Sequence, residues 1–252
     1  MKVSHNFQLR SWAFVPARGG SKTIPLKNLA NLGGLPLMDY CVEAAKASKV
    51  FERIICSTDH NGIAERAKKL GIEQDSRPPA LGGDEVSTQA VIIDFLRRQK
   101  THLPDLLFIV EPTSPFLRPT DITSLLERMK ITPDATTGLT VARPPHTHHA
   151  WNQRRMDSGF VSFVFEERKH VFAKQKKPTL YIFGNVIACR VTSLLAGGDV
   201  FTEPTAGVEI ERPYDVNIDD PMDLVLANSL LMSGAVKLPH MQPFLDKIFK
   251  TY

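Results

Sequence analysis

Short apolar runs alternate with stretches of helical periodicity along most of the chain. A continuous apolar run predicts a strand buried on both faces, and apolar residues three or four apart predict an amphipathic helix. The runs that predict strands are 12–15, 53–57, 105–110 and 135–141, and the segments that predict helices are 35–47, 63–70, 87–97 and 121–129. Strands and helices in this alternation are typical of a mostly parallel, doubly wound α/β sheet. The strongest run, 105–110, is expected at the centre of that sheet.

The alternation breaks after residue 142. Between 143 and 178 the chain turns to prolines, histidines, charged residues and scattered phenylalanines. This change predicts a lobe inserted into a single domain of residues 1–252. A strand is expected again at 180–189, interrupted by Gly184-Asn185, and a helix at 222–231. The tail after residue 231 predicts a terminal helix of structural purpose.

Composition narrows the class of protein. A chain of 252 residues with 42% hydrophobic residues suits one large α/β domain. The net charge of +4 is modest, and the cations are spread along the chain apart from Lys174, Lys176 and Lys177, which argues against nucleic acid as the main partner and fits a local anion site. Cys41, Cys56 and Cys189 lack metal-type spacing and are expected as buried, reduced thiols. No signal-peptide pattern and no apolar run of the ~20 residues that span a bilayer is present, so a soluble, cytoplasmic protein is expected.

The loop after the first predicted strand carries the clearest chemistry. Glycine lets backbone N–H groups come close to a ligand, and arginine and lysine supply charge for a polyanion. The loop has neither the Walker pattern nor the dinucleotide fingerprint. It therefore predicts a differently built triphosphate site, with an ordinary basic turn as the alternative. The candidate nucleotide-binding residues in it are Arg18, Gly19, Gly20, Ser21, Lys22, Lys27 and Asn28.

Further loops are expected on the same side of the sheet. In parallel sheets, ligands bind beyond the carboxyl ends of the strands, so loops 16–28 and 57–60 should share one rim. The stretch 75–84 is rich in proline and glycine and predicts another loop, and 111–118 follows the predicted central strand.

Two of these loops resemble motifs of a known family. Residues 17–22, Ala-Arg-Gly-Gly-Ser-Lys, resemble the opening motif of the acylneuraminate (sialic acid) cytidylyltransferases, and residues 112–115, Pro-Thr-Ser-Pro, resemble a second motif. The resemblance covers 12–118 well and 205–231 moderately. It implies a Rossmann-like sheet of the nucleotide-diphospho-sugar transferase type. The activity it implies is nucleotidyl transfer (EC 2.7.7 class), in which CTP and a sialic-acid-like nonulosonate give the CMP-sugar and pyrophosphate.

The resemblance also implies roles for residues near the nucleotide. Arg18, Lys22 and Lys27 would neutralise the triphosphate. Arg77 and Asp84 would lie in a loop that closes over the cytosine, with Arg77 on the base. The alternative for Arg77 is a surface ion pair with an aspartate of its own loop, Asp75 or Asp84.

The implied sugar site departs from the family pattern. Its candidate residues are Glu111, Thr113, Ser114 and Asn185. Glu111 stands where glutamine is usual, and a carboxylate there would repel the substrate's carboxylate unless it is protonated or binds an amine or hydroxyl. The alternative is a salt bridge from Glu111 to Arg118. Gly184-Asn185 stands in the reverse of the usual order, and Thr23 stands where glycine is usual.

An acidic stretch near residue 219 predicts a Mg²⁺ site. The family pattern D-I-D-x-x-x-D aligns with Asn217, Asp219 and Asp223, and its first two positions are expected to face one way on a strand. Mg²⁺ prefers a few carboxylate oxygens together with substrate phosphates. Asn217 replaces the first aspartate, so Asp219 is the main candidate ligand and catalytic residue, and Asp215 or Asp220 could supply the missing charge. The alternative is that Asp219 or Asp220 caps the N-terminus of the following helix, and this role is compatible with metal binding.

The inserted lobe leaves several questions open. The resemblance implies that residues 143–178 form a homodimerisation lobe that also reaches substrate, while His146, His148 and His149 are a weak zinc pattern. Glu111 and the altered 180–189 segment motivate another sugar acid or another nucleotide as substrate. Asn217 motivates a non-catalytic, nucleotide-binding homologue. A scaffold without nucleotide binding is disfavoured by the cationic loop.

Overall fold

The described residues form a seven-stranded sheet with helices on both faces. The computed structural model describes residues 9–83, 85–99, 102–171 and 173–249. The strands are β1 (Ser11–Pro16), β2 (Asn31–Leu32), β3 (Leu35–Pro36), β4 (Arg53–Thr58), β5 (Glu73–Ser76), β6 (Leu106–Ile109), β7 (Thr137–Ala142), β8 (Arg154–Asp157), β9 (Phe160–Phe163), β10 (Ile182–Arg190) and β11 (Thr205–Ile210). The α-helices are α1 (Leu37–Ser48), α2 (Asn61–Lys69), α3 (Thr88–Arg98), α4 (Pro119–Ile131), α5 (Val191–Leu195), α6 (Pro221–Met232) and α7 (Gln242–Phe249).

The sheet has the strand order β11-β7-β10-β6-β1-β4-β5. Only β10 runs antiparallel to its neighbours β6 and β7, and the other pairs are parallel. The predicted mostly parallel, doubly wound fold is therefore confirmed, with β6 at the centre. Because the parallel strands point the same way, the loops that follow β1, β4 and β6 open at the same edge of the sheet.

The side chains of the central strands alternate between two cores. In β1, Trp12 and Phe14 pack with α3, where the ring of Phe95 lies 5.2 Å from that of Phe14. Ala13 and Val15 point to the opposite face, which α1, α2 and α4 cover. Both faces of these strands are buried, which explains why they appear as continuous apolar runs in the sequence.

The predicted elements agree closely with the structure. Each helix and strand expected between residues 12 and 141 is present within a few residues of its predicted ends. The strand expected at 180–189 is β10, and the register of its pairing with β7 shifts between Phe183 and Ile187, where Gly184-Asn185 lies. The tail helix is α7. The three cysteines are free and buried, as expected.

The inserted segment lies outside the sheet. Its strands β8 and β9 pair only with each other, as a separate hairpin. Met156, Phe160 and Val161 of this hairpin are large apolar side chains exposed to solvent. Dimerisation through this lobe stays a prediction.

None of the helices in the described part of the chain combines the length and the apolar composition that crossing a membrane requires.

Gly184 provides a test of the irregular pairing between β10 and β7. A Cβ atom there would lie 2.8 Å from the backbone carbonyl atoms of Thr140, which cannot move aside without disturbing β7. We expect Gly184→Ala to lower the free energy of unfolding by about 1–3 kcal/mol, as overpacking does elsewhere. Chemical denaturation measures this.

The matched control is Gly207→Ala on the edge strand β11, where a Cβ would meet no atom within 4 Å. It should leave stability unchanged or raise it by up to about 1 kcal/mol. Equal effects of the two substitutions would contradict the tight contact at Gly184.

Candidate functional site

A cavity of about 510 Å³ opens where β1 and β6 end. We call it the first cavity. It is lined by Pro16, Arg18, Gly20, Ser21, Lys22, Thr23, Lys27, Asn28, Arg77, Val86, Thr88, Val91, Glu111, Pro112, Thr113 and Asp219. Ten of the residues predicted from the sequence are thus brought together, although they come from four separate loops.

The loop after β1 forms the cationic side of the first cavity. A short 3₁₀ helix, Lys27–Leu29, ends the loop and buries Asn28. The side-chain amide of Asn28 donates to the backbone carbonyl of Arg18 at 2.9 Å, which holds the two ends of the loop together. Asn28 therefore shapes the loop in addition to lining the cavity.

The two adjacent glycines serve different purposes. Gly20 lines the first cavity, and a Cβ atom there would meet nothing within 4 Å. Gly19 does not line it. Its N–H donates to Asp59 Oδ1 at 2.7 Å, and a Cβ atom would lie 2.7 Å from the Cβ of His60. Glycine is required at position 19 by packing against the loop after β4, and not by direct approach to a ligand.

The loops after β1 and β4 share one rim, as predicted. The N–H of Ala17 donates to the carbonyl of Ser57 at 3.0 Å, next to the contact between Gly19 and Asp59.

Arg77 extends into the first cavity from the loop after β5. One of its terminal N–H groups donates to the carbonyl of Ser57 at 3.1 Å, while its Nε is buried without a hydrogen-bond partner. Burial lowers the pKa of the guanidinium from its ordinary value. Asp75 is bonded to Ser57 and Arg98, so the ion pair to Asp75 that was the alternative for Arg77 does not form. Asp84 lies outside the described residues.

Glu111 follows the central strand and faces the first cavity. Burial raises the pKa of its carboxyl group, the charge of Asp219 adds to the rise, and Lys27 opposes it. The salt bridge to Arg118 that was the alternative is wrong, because Arg118 binds Asp121 and Glu211 instead.

Lys27 and Asp219 connect the loop after β1 to the segment before α6. The Lys27 ammonium donates to the Ile218 carbonyl at 3.0 Å and to Asp219 Oδ1 at 3.2 Å. The hydroxyl of Thr23 donates to the backbone carbonyl of Asp219. On the other side, the N–H of Ile218 donates to the Thr113 carbonyl at 2.8 Å. Asp219 is therefore held at the rim by two loops.

The acidic stretch differs from its prediction. Residues 215–219 do not form a strand, so the alternation expected for Asn217 and Asp219 is wrong. Asn217 does not line the first cavity, and its Oδ1 is buried without a hydrogen-bond partner. The helix-cap alternative is confirmed for Asp220, which accepts hydrogen bonds from the N–H groups of Met222 and Asp223. Asp215 faces Arg212 at 3.7 Å.

The donors present fit a Mg²⁺ ion only if a nucleotide brings further ligands. Among the described residues, no group of three or more His, Cys, Asp or Glu could hold a metal ion. Asp219, however, lines the same cavity as the cationic loop and keeps a largely exposed carboxylate. Mg²⁺ typically uses one or two carboxylates together with substrate phosphates. Asp219 meets that requirement, whereas Asn217, outside the lining, does not.

Two predicted sugar residues lie away from the first cavity. Ser114 is fully buried, and its hydroxyl has no hydrogen-bond partner. Asn185 is fully buried too. Its side-chain oxygen accepts a hydrogen bond from the Thr140 hydroxyl, its backbone N–H donates to the same hydroxyl, and its side-chain N–H donates to Asp121. At this position Asn185 is a structural residue that ties β10 to β7 and α4, and not a residue of the cavity wall.

A second cavity, of about 310 Å³, adjoins the first. It is lined by Ser87, Thr88, Gln89, Ile109, Glu111, Ile187, Asp199, Val200 and Phe201. Thr88 and Glu111 line both cavities. Of these nine residues, only Glu111 was predicted to belong to a site. Residues 87–89 were interpreted only as a helix start, and 199–201 belong to no recognisable motif.

The fold and the first cavity define an α/β protein with a cavity lined by cationic side chains at its strand ends. A family comparison agrees: the cytidylyltransferase family matches residues 12–172. The chain therefore belongs to the cytidylyltransferase family.

Curated relatives show two patterns of similarity. The chain is 27% identical to a CMP-N,N'-diacetyllegionaminic acid synthase of Legionella pneumophila, over 88% of this chain and 97% of the relative. It is 38% identical to N-acylneuraminate cytidylyltransferase A of Danio rerio, but this match covers 46% of the chain and only 26% of the fish protein. The chain thus spans about a quarter of that longer relative.

Solved structures support the fold. A CMP:2-keto-3-deoxy-manno-octonic acid synthetase complexed with CTP has a TM-score of 0.68 at 15% identity, covering 89% of this chain and 99% of that one. A 4-diphosphocytidyl-2C-methyl-D-erythritol synthase from Anaerococcus prevotii has a TM-score of 0.61 at 14% identity, with the same coverage. At these identities the likeness concerns the fold alone.

Asn185 yields a stability prediction. We expect Asn185→Ala to lower the free energy of unfolding by about 2–3 kcal/mol, because it removes the buried side-chain hydrogen bonds that Asn185 makes with Thr140 and Asp121. Thermal and chemical denaturation measure this. Asn61→Ala, at the exposed start of α2, is the control and should change stability little. Unchanged stability of the Asn185 variant, with a raised KM for a sugar substrate, would contradict the structural role.

Proposed function

We propose that the protein is a nucleotidyltransferase that activates a sialic-acid-like nonulosonate with CTP and releases pyrophosphate. The observation that carries this proposal is the first cavity, where four cations from two loops face the carboxylates of Glu111 and Asp219. The near full-length match to a synthase of a CMP-linked sugar acid supports the same conclusion.

The proposed reaction is a displacement at the α-phosphorus of CTP. The oxygen of the sugar's anomeric hydroxyl forms a new bond to that phosphorus. The bond from phosphorus to the oxygen that bridges the α- and β-phosphates breaks, and pyrophosphate leaves with the bonding electron pair. The hydroxyl proton passes to solvent. No redox partner is needed.

The cationic loop would neutralise the triphosphate. Arg18 and Lys22 line the first cavity beside Gly20 and Ser21, which leave room for phosphate oxygens. Lys27 uses two of its three N–H donors on Ile218 and Asp219 and keeps the third for a phosphate. Preorganised charge of this kind stabilises the transition state of phosphoryl-type transfers.

Arg77 would bind the cytosine. It enters the same cavity from another loop, and Val86 and Val91 supply apolar surface there that suits a base. Its guanidinium uses one terminal N–H group on the Ser57 carbonyl, and its remaining terminal N–H donors could bind a base carbonyl.

We propose Mg²⁺ as the cofactor, with Asp219 as the residue that would hold it together with phosphate oxygens. When bound, Mg²⁺ would offset phosphate charge and lower the pKa of the attacking hydroxyl. Thr23 and Lys27 fix the position of Asp219 whether or not the ion is present.

The second cavity is the proposed location of the sugar. It meets the first cavity at Thr88 and Glu111, so a sugar bound there would have its reacting carbon beside the triphosphate.

We further propose a cytoplasmic homodimer, for which the exposed apolar side chains of the β8–β9 hairpin offer a surface.

A second candidate function is nucleotide binding without turnover. It is favoured by one observation, that Asn217 provides neither charge nor a position in the wall of the first cavity. CTP binding without pyrophosphate release across a panel of sugar acids would support it.

Pyrophosphate release tests the proposed function directly. We expect release with CTP, Mg²⁺ and at least one nonulosonate, and much less with ATP, GTP or UTP. The panel should include N-acetylneuraminate, a legionaminate and a pseudaminate. Equal release with all four triphosphates would contradict the role of Arg77, and absence of release with every sugar would overturn the transferase proposal.

Lys27 provides the sharpest test of the cationic loop. We expect Lys27→Met to lower kcat/KM for CTP about 100- to 1000-fold, because it removes a phosphate-facing charge and also frees Asp219. Steady-state kinetics measure this. Lys130→Met is the matched control, since Lys130 pairs with Glu127 on the exposed side of α4. A less than fivefold effect at Lys27 would contradict the assignment.

A further inference from the structure

Glu111 stands at the junction of the two cavities. It is a lining residue of both, and it lies two residues after the end of the central strand β6. A molecule that extends from the triphosphate into the second cavity must therefore pass its carboxylate.

The Glu111 carboxylate has no protein partner within the described ranges. Neither a hydrogen bond nor an ion pair reaches it, and the ammonium of Lys27 is bonded to Ile218 and Asp219 instead. Burial raises the pKa of the Glu111 carboxyl, which is the expected result when a partly buried acid lacks a bonded cation. A group on a ligand can supply the hydrogen bond or ion pair that the protein does not provide to this carboxylate.

The second cavity has an acidic character. Its charged lining residues are Glu111 and Asp199, and its described lining contains no lysine, arginine or histidine. Asp199 Oδ1 accepts a hydrogen bond from the N–H of Phe201, which holds this carboxylate at the cavity wall. Electrostatics here disfavour an anion and favour a cation, whereas the first cavity has the opposite preference.

The proposed sugar substrate also has two parts, an anionic part near its reacting carbon and a distal part. In a 2-keto sugar acid the anomeric carbon bears both the attacking hydroxyl and the carboxylate, so the carboxylate stays close to the triphosphate and its cations. The distal part of the sugar then extends past Glu111 into the second cavity. A neutral amide or hydroxyl can donate a hydrogen bond to these carboxylates but leaves their charge uncompensated, while a cationic nitrogen donates to them and compensates their charge.

We infer that the preferred sugar acid carries a positively charged nitrogen, an amine or an amidine, that Glu111 binds at the junction of the two cavities. This inference rests on the proposed function and names the substrate class for it. Glu111 is then the residue that selects a zwitterionic sugar acid over its neutral N-acyl counterpart.

A matched pair of substrates tests the inference. N-acetylneuraminate is compared with the same sugar acid in which an acetamidino group replaces the acetamido group, because the two groups have nearly the same shape and differ in charge. A second pair compares N-acetylneuraminate with its 9-amino-9-deoxy analogue, which places the cation elsewhere. The readout is the ratio of kcat/KM, cationic over neutral, measured by pyrophosphate release with CTP.

We expect a ratio of at least tenfold in favour of one cationic sugar for the unmodified protein. Glu111→Gln should lower that ratio at least tenfold and improve the use of N-acetylneuraminate. Asp199→Asn should lower the ratio in the same direction by a smaller factor. Glu127→Gln on the exposed side of α4 is the matched control and should leave the ratio unchanged.

The possible outcomes distinguish a failure of this inference from a failure of the proposed function. Pyrophosphate release with a ratio that Glu111→Gln does not change would overturn the inference and leave the proposed function standing. An equal loss of rate with both sugars, accompanied by a higher Mg²⁺ requirement, would also overturn it, because Glu111 would then serve the metal. No release with any sugar acid would overturn the proposed function itself. Calorimetric titration with CTP verifies that each variant is folded and binds nucleotide.

Discussion

The contact of the Lys27 ammonium with the Ile218 carbonyl and the Asp219 carboxylate is the interaction on which the site depends. It joins residues 191 positions apart in the sequence, across the edge of the sheet where the parallel strands end. This contact links the cationic loop to Asp219, the predicted metal ligand in the wall of the first cavity. Without it, the two would be attached to the fold separately. Thr23, in the same loop, makes a second link, because its hydroxyl donates to the Asp219 carbonyl. The loop proposed to bind phosphate and the residue proposed to bind Mg²⁺ are therefore held together as one unit, which the hydrogen bond between Ile218 and Thr113 connects to the end of β6.

Much of this arrangement follows from sequence pattern because the sheet is buried on both faces. Continuous apolar runs such as 105–110 identify the strands, and the parallel rule then places the loops that follow them on one rim. The cationic loop, Arg77, Glu111 and Asp219 meet there as expected. These residues meet because of the direction of the strands, which the sequence pattern can predict, and not because of contacts between particular side chains.

Sequence pattern is less informative about side chains whose surroundings come from distant parts of the chain. Asn185 resembles a sugar-binding residue in sequence, but Thr140 and Asp121 surround its amide and make it structural. The 215–219 segment has the alternation of a strand, yet no neighbouring strand pairs with it. The second cavity was missed because its walls combine a helix start with residues 199–201, which no local pattern connects.

The β8–β9 hairpin belongs to a segment with an unusual share of the protein's charge. Residues 143–178 contain eight lysines and arginines and three acidic residues, so the segment is more positive than the whole chain, whose net charge is +4. The remainder of the sequence is therefore close to neutral. The net positive charge that would attract a polyanion over a long distance thus lies mainly in this inserted segment, and added salt would screen that attraction. The cations at the strand ends would act only at closer range.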